Sequence, residues 1–140
     1  MLFGKRTRIV KRILVVEDEP LVAFDNETMI ADAGYEVVAT VDRYADAVAQ
    51  LDESEVDLIL SDILLTGERS GVDLAREAKR RGVPVLFVTA HPPAGAEELA
   101  IGHLLKPYNE RALKAALKAI DRHLAGKLAD PPEGLVFYSA

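Results

Sequence analysis

Three short stretches constrain this fold most: Ile13-Leu14-Val15-Val16, Leu58-Ile59-Leu60-Ser61 and Val85-Leu86-Phe87-Val88. A half-exposed strand alternates apolar and polar residues. Continuous β-branched and aliphatic runs of this length suit parallel strands buried on both faces. Strands are expected at Ile13–Val16, Glu36–Val41, Asp57–Ser61, Pro84–Val88 and His103–Leu105. Helical patterns fall between them. Pro20 suits a first turn and Gly34 a C-terminal stop; Tyr44, Val48 and Leu51 share one face, as do Leu74, Ala75 and Ala78 before Gly82. Asn109 can cap a last helix whose Leu113, Leu117, Ile120 and Leu124 recur every three or four residues before Gly126. Strand and helix thus alternate through the chain, the pattern of a doubly wound parallel sheet with right-handed crossovers.

The length of 140 residues suits one domain. The reading divides it into a basic extension (1–11), the α/β body (12–126) and a tail (127–140), whose Leu135–Tyr138 is expected to pack on the body or on a partner. No apolar run approaches the ~18 residues that span a bilayer, and the first twelve residues lack the apolar core of a signal peptide. The absence of cysteine excludes disulfides and thiolate metal sites and fits a cytoplasmic protein. Charge is uneven. The first twelve residues hold five bases and no acid; the remaining 128 hold 12 bases against 23 acids. An acidic body argues against nucleic acid as the main partner, since its phosphates need Lys and Arg.

In a parallel α/β sheet, functional groups gather beyond the carboxyl ends of the strands. Here the first strand ends in Glu17 and Asp18, the third in Asp62, the fourth in Thr89 and the fifth in Lys106 before Pro107. If these strands are neighbours, the side chains share one crevice. Three carboxylates brought together raise one another's pKa unless a cation neutralises them. Oxygen-only donors favour Mg²⁺. A lysine and a hydroxyl complete a site for a phosphoryl group.

These motifs, ILVVEDEP, LILSD, VTA and LLKP in this order, resemble the receiver domain of two-component response regulators, over roughly Arg12 to Gly126. The resemblance implies a flavodoxin-like, five-stranded parallel sheet of order 2-1-3-4-5 with about five helices. It implies that Asp62 is the phosphoacceptor for a phosphohistidine of a sensor histidine kinase or phosphotransfer protein. It implies Mg²⁺ held by Glu17, Asp18, Asp62 and the Leu64 backbone carbonyl, partly through water. Thr89 and Lys106 would bind phosphoryl oxygens, Ala90 would leave them room, and the bond before Pro107 would be cis. The function implied is signalling by protein contact or as a phosphate sink, with no catalytic turnover of its own beyond slow self-dephosphorylation.

The sequence also departs from the family. His103 stands at the switch position, where an aromatic residue is usual, as in a subgroup of stand-alone receivers that lack that residue. His91, Pro92, Pro93 and Gly95 leave room for one or two helical turns around Ala96–Ala100, a shortened fourth helix. Thr66 replaces the usual proline in a longer loop before Gly71, which predicts a more mobile loop. Leu64 and His91 each lie two residues past a site residue, where the resemblance implies that side chains flank the route of a hydrolytic water. Fourteen residues after Gly126 are too few for a DNA-binding output domain. Other readings remain open at this point. A Mg²⁺-dependent aspartyl-phosphate phosphatase would want an acid two residues past Asp62, where Leu64 stands. A nucleotide or flavin module would want a glycine-rich phosphate loop, and no strand is followed by one. A receiver-like module that binds partners without phosphorylation is the third.

Overall fold

The computed structural model describes residues 8–92, 94–128 and 130–138. Residues 1–7, most of the basic extension, lie outside it. The strands are β1 (Arg12–Val16), β2 (Glu36–Val41), β3 (Leu58–Ser61), β4 (Val85–Thr89), β5 (Gly102–Leu105) and β6 (Leu135–Phe137). The helices are α1 (Pro20–Asp32), α2 (Tyr44–Glu53), α3 (Gly71–Arg80) and α4 (Glu110–Leu124). One sheet runs in the order β2-β1-β3-β4-β5-β6, parallel except for the antiparallel pair β5–β6.

The continuous apolar runs form the centre of this sheet. β3 and β4 are buried at every residue, and β1 from Ile13 onward. Ile13, Val15, Leu60, Leu86 and Val88 face one core with α1 and α4; Leu14, Val16, Ile59, Val85 and Phe87 face the other with α2 and α3. That two-sided burial is why the runs carry no polar alternation.

Two expectations need correction. Among the described residues the sheet has six strands, because Leu135–Phe137 pairs with the edge that β5 would otherwise expose. Leaving that edge bare would leave its N–H and C=O groups without sheet partners. Among the described residues there are four helices, and residues 94–100 form turns where a short helix was expected. Gly95 adopts φ +81°, and too few residues remain before β5 to repay the cost of nucleating a helix. Ala96 is nonetheless buried, and its carbonyl accepts from the Leu99 N–H.

The loop after β3 is tied at both ends. Thr66 bridges to Arg43, its N–H donating to the Asp42 carbonyl at 3.2 Å. Ser70 caps α3 in a reciprocal box with Asp73, whose carboxylate accepts from the Ser70 N–H at 2.8 Å. The N-terminal segment is tied to α4, where Asp121 Oδ1 accepts from the N–H groups of Ile9 and Val10 at 2.8 Å each. No helix among the described residues is long and apolar enough to cross a membrane.

Candidate functional site

Register decides which side chains meet. Val16 of β1 lies opposite Ser61 of β3, so the next residues of each strand, Glu17 and Asp62, emerge side by side. The ladder continues past both strand ends. Asp62 N–H donates to the Val16 carbonyl and Glu17 N–H to the Val41 carbonyl, each at 2.9 Å. Carboxylate oxygens of Glu17, Asp18 and Asp62 lie within 4.8 Å of one another. Burial grades across the trio: Glu17 is 3 % exposed, Asp62 is partly buried and Asp18 is exposed.

Lys106 approaches from the other side. Its N–H donates to the Thr89 carbonyl at 2.9 Å, which extends the β4–β5 ladder by one residue. From there its side chain reaches across the end of β4. The ammonium donates to Glu17 Oε1 at 2.9 Å and lies 3.4 Å from Asp62 Oδ2. Glu17 Oε2 accepts from the Glu19 N–H at 3.2 Å, and Asp62 Oδ1 from the Ile63 N–H at 2.9 Å. Each carboxylate is therefore oriented by a backbone donor and a shared cation. Burial raises the pKa of Glu17, against the pull of Lys106. Burial works against the Lys106 ammonium too, but its bond to Glu17 and the charges of Glu17 and Asp62 outweigh that and hold its pKa above the usual value. A buried pair of this kind adds little net stability, because desolvation offsets attraction. Its value lies in placing charge.

The donor set fits a hard divalent cation. Three carboxylates supply oxygen only, the exposed Asp18 side leaves room for waters, and one lysine does not neutralise three acids. Leu64, two residues past Asp62, is 77 % exposed.

The remaining expected residues are placed as follows. Thr89 is buried, and its hydroxyl donates to the His91 carbonyl and accepts from the His91 N–H, both at 3.0 Å. It is thus turned toward its own loop in this state. Ala90 and His91 are exposed at the end of β4. The Lys106–Pro107 bond is cis. His103 is buried, and its Nδ1 lies 2.7 Å from the Tyr138 hydroxyl, the two rings 5.4 Å apart.

Three participants were not legible beforehand. Gly71 packs so tightly on Asp62 that a Cβ there would collide with the Asp62 carbonyl and Ile63 Cα. Tyr138, from the tail, meets His103. Tyr108 bonds to Asn26 near the acids. Gly71 left a trace in the sequence as a glycine at a helix start where serine precedes it, and Tyr138 as the end of the apolar tail expected to pack on the body or a partner.

A family model for the "Response regulator receiver domain" matches residues 13–118. The phyllosphere-induced regulator PhyR of Methylorubrum extorquens is 40 % identical over 82 residues, 57 % of this chain and 31 % of its own length. A solved "anti-anti-sigma factor PhyR" from Bartonella quintana aligns with a TM-score of 0.67 at 29 % identity, covering 84 % of this chain and 48 % of its own. The response regulator protein TrrA of Thermotoga maritima, solved in complex with Mg(2+)-BeF, aligns with a TM-score of 0.69 at 28 % identity, covering 77 % of this chain and 96 % of its own. The chain spans about half or less of the length of either PhyR. With the fold, the acidic trio at its strand ends and the match over most of its length, this chain belongs to the response regulator receiver domain family.

Proposed function

We propose that this receiver takes a phosphoryl group onto Asp62 from the phosphohistidine of a histidine kinase or phosphotransfer protein. The observation that carries the reading is the meeting of Lys106 with Glu17 and Asp62 beside Asp18. Asp62 Oδ2, the oxygen facing the ammonium, attacks phosphorus as the P–N bond breaks. The electron pair of that bond stays on the imidazole nitrogen. The product is an acyl phosphate, and its formation depends on positioning and charge stabilisation.

Bound Mg²⁺ would supply charge neutralisation at the incoming phosphoryl oxygens. Asp18, Asp62 and the Leu64 carbonyl would hold it, with Glu17, the most buried of the three acids, contributing through water. Lys106 pairs with one phosphoryl oxygen. Thr89 leaves the His91 carbonyl to donate to another, and exposed Ala90 leaves space for it. Leu64, two residues past Asp62, would hinder the hydrolytic water, while His91, two residues past Thr89, would orient or screen it. Leu21 and Phe24 on α1 are 79 % and 66 % exposed. They give the phosphodonor an apolar footing beside the acids. We carry over from the PhyR relatives an output through protein contact.

The deciding experiment incubates purified protein with Mg²⁺ and acetyl phosphate, then with a panel of histidine kinases, and weighs the intact chain. One phosphoryl unit of added mass, acid-labile and absent from Asp62→Asn, is the expected result. No added mass under any donor, or equal labelling of Asp62→Asn, overturns the reading. Steady turnover of a phosphomonoester would replace it with a phosphatase.

A further inference from the structure

Helix α1 buries Ala23, Asn26 and Ile30 toward the core, and Asn26 is the polar member at 2 % exposure. Its Oδ1 accepts from the Tyr108 hydroxyl at 2.6 Å. Its Nδ2 is buried with no partner among the described residues. A buried donor without an acceptor is destabilising. Asn26 accepts that cost at its Nδ2 while its Oδ1 satisfies the Tyr108 hydroxyl, so the contact with Tyr108 is what this buried amide supplies.

Tyr108 lies two residues past Lys106, and its ring packs on the core beneath α1 and α4. Burial is the main cause that raises its pKa; the bond to Asn26 lowers it, and the charges of Glu17 and Asp62 raise it further. The hydroxyl therefore sits in the field of the two carboxylates that Lys106 bridges. Helix α1 begins at Pro20, directly after the acidic stretch Glu17-Asp18-Glu19. One hydrogen bond thus joins the helix that follows the site's acids to the turn that carries its cation.

We propose that Tyr108 and Asn26 are a positioning pair for phosphoryl transfer, holding the Lys106 turn against α1 so that the ammonium stands between Glu17 and Asp62. This rests on the phosphoacceptor reading above. Neither residue touches the phosphoryl group. They act through Lys106, and a small misplacement of a positioned charge costs rate steeply.

Tyr108→Phe removes the hydroxyl and keeps the ring. Its maximal rate of labelling by acetyl phosphate at saturating Mg²⁺ should fall about tenfold, with the Mg²⁺ affinity unchanged. In a Lys106→Ala background the same substitution should change the rate less than about twofold, because the lysine it positions is gone. Beryllofluoride binding, read by ¹⁹F NMR without turnover, should weaken in parallel. Asn26→Leu, which removes the acceptor of the Tyr108 hydroxyl, should reproduce the loss of rate, and it carries the test if Tyr108→Phe does not fold. Wild-type rates in these variants, or an equal loss with and without Lys106, overturn the pairing. Absence of label on the wild-type chain instead fells the phosphoacceptor reading itself.

Discussion

Gly71 shows how closely the residue scale is set around Asp62. It is the first residue of α3, its N–H donates to the Ile63 carbonyl at 2.6 Å, and the Asp62 carbonyl occupies the space of the missing Cβ. Elsewhere in a helix, Gly→Ala stabilises by roughly 0.5–1 kcal/mol because it removes backbone freedom from the unfolded chain. Here the collision is with backbone, which cannot swing aside as a side chain can. Gly71→Ala is therefore expected to destabilise by about 1–3 kcal/mol in denaturant titration, and to slow labelling of Asp62 by displacing its carboxylate. A stabilised variant with unchanged labelling would show that the helix start yields easily. The carboxylates and Lys106 were legible because each follows a strand of the sheet directly, whereas the cis bond before Pro107 was expected only through the family resemblance. Gly71's contact with Asp62 was not, since the two are nine positions apart and joined only by an irregular loop.

At the scale of elements, β1, β3 and β4 could be read outright because two-sided burial writes itself as unbroken apolar sequence. The tail could not. Leu135-Val136-Phe137 is short, and its pairing depends on an edge formed more than thirty residues earlier. Gly102 on that edge has no room for a Cβ against the Val136 carbonyl, while the Leu105 and Tyr138 N–H groups donate to Gly134 and Ile101 at 2.9 Å. His103 and Tyr138 close this strand pair side chain to side chain. Burial lowers the pKa of His103, so the fold favours its neutral form. Below the ordinary value of about 6.5 the unfolded chain binds more protons at this position than the folded one. The stability tied to neutral His103 is complete above that pH and is lost as pH falls through it toward the depressed folded value. Melting temperatures between pH 7.5 and 5 should therefore drop more in the wild type than in His103→Gln. Parallel curves for the two would detach the histidine from the strand.

For the whole molecule, the pocket is a place where the fold works against itself when metal-free. The chain carries a net charge of −6 and still gathers Glu17, Asp18 and Asp62 within 4.8 Å, opposed by the single Lys106 ammonium. Each acid disfavours its neighbours, and burying Glu17 adds to that cost. A ligand that binds only the folded state adds stability by mass action, about 2.7 kcal/mol at a hundredfold excess over its dissociation constant. Mg²⁺ should thus raise the melting temperature of the wild type. Removing one charge with Asp62→Asn has two opposite effects. It relieves repulsion, so the metal-free variant should melt higher than the metal-free wild type. It also strips a ligand, so the increment on adding Mg²⁺ should largely vanish. Surface charge screened by salt cannot imitate this pairing of signs, since a neutralised exposed acid leaves the response to Mg²⁺ unchanged. Thermal melts of both proteins with Mg²⁺ and with chelator check it. A metal-free Asp62→Asn that melts lower, with its Mg²⁺ increment intact, would mean that the acids are held apart by solvent and that the cation, if bound, sits elsewhere.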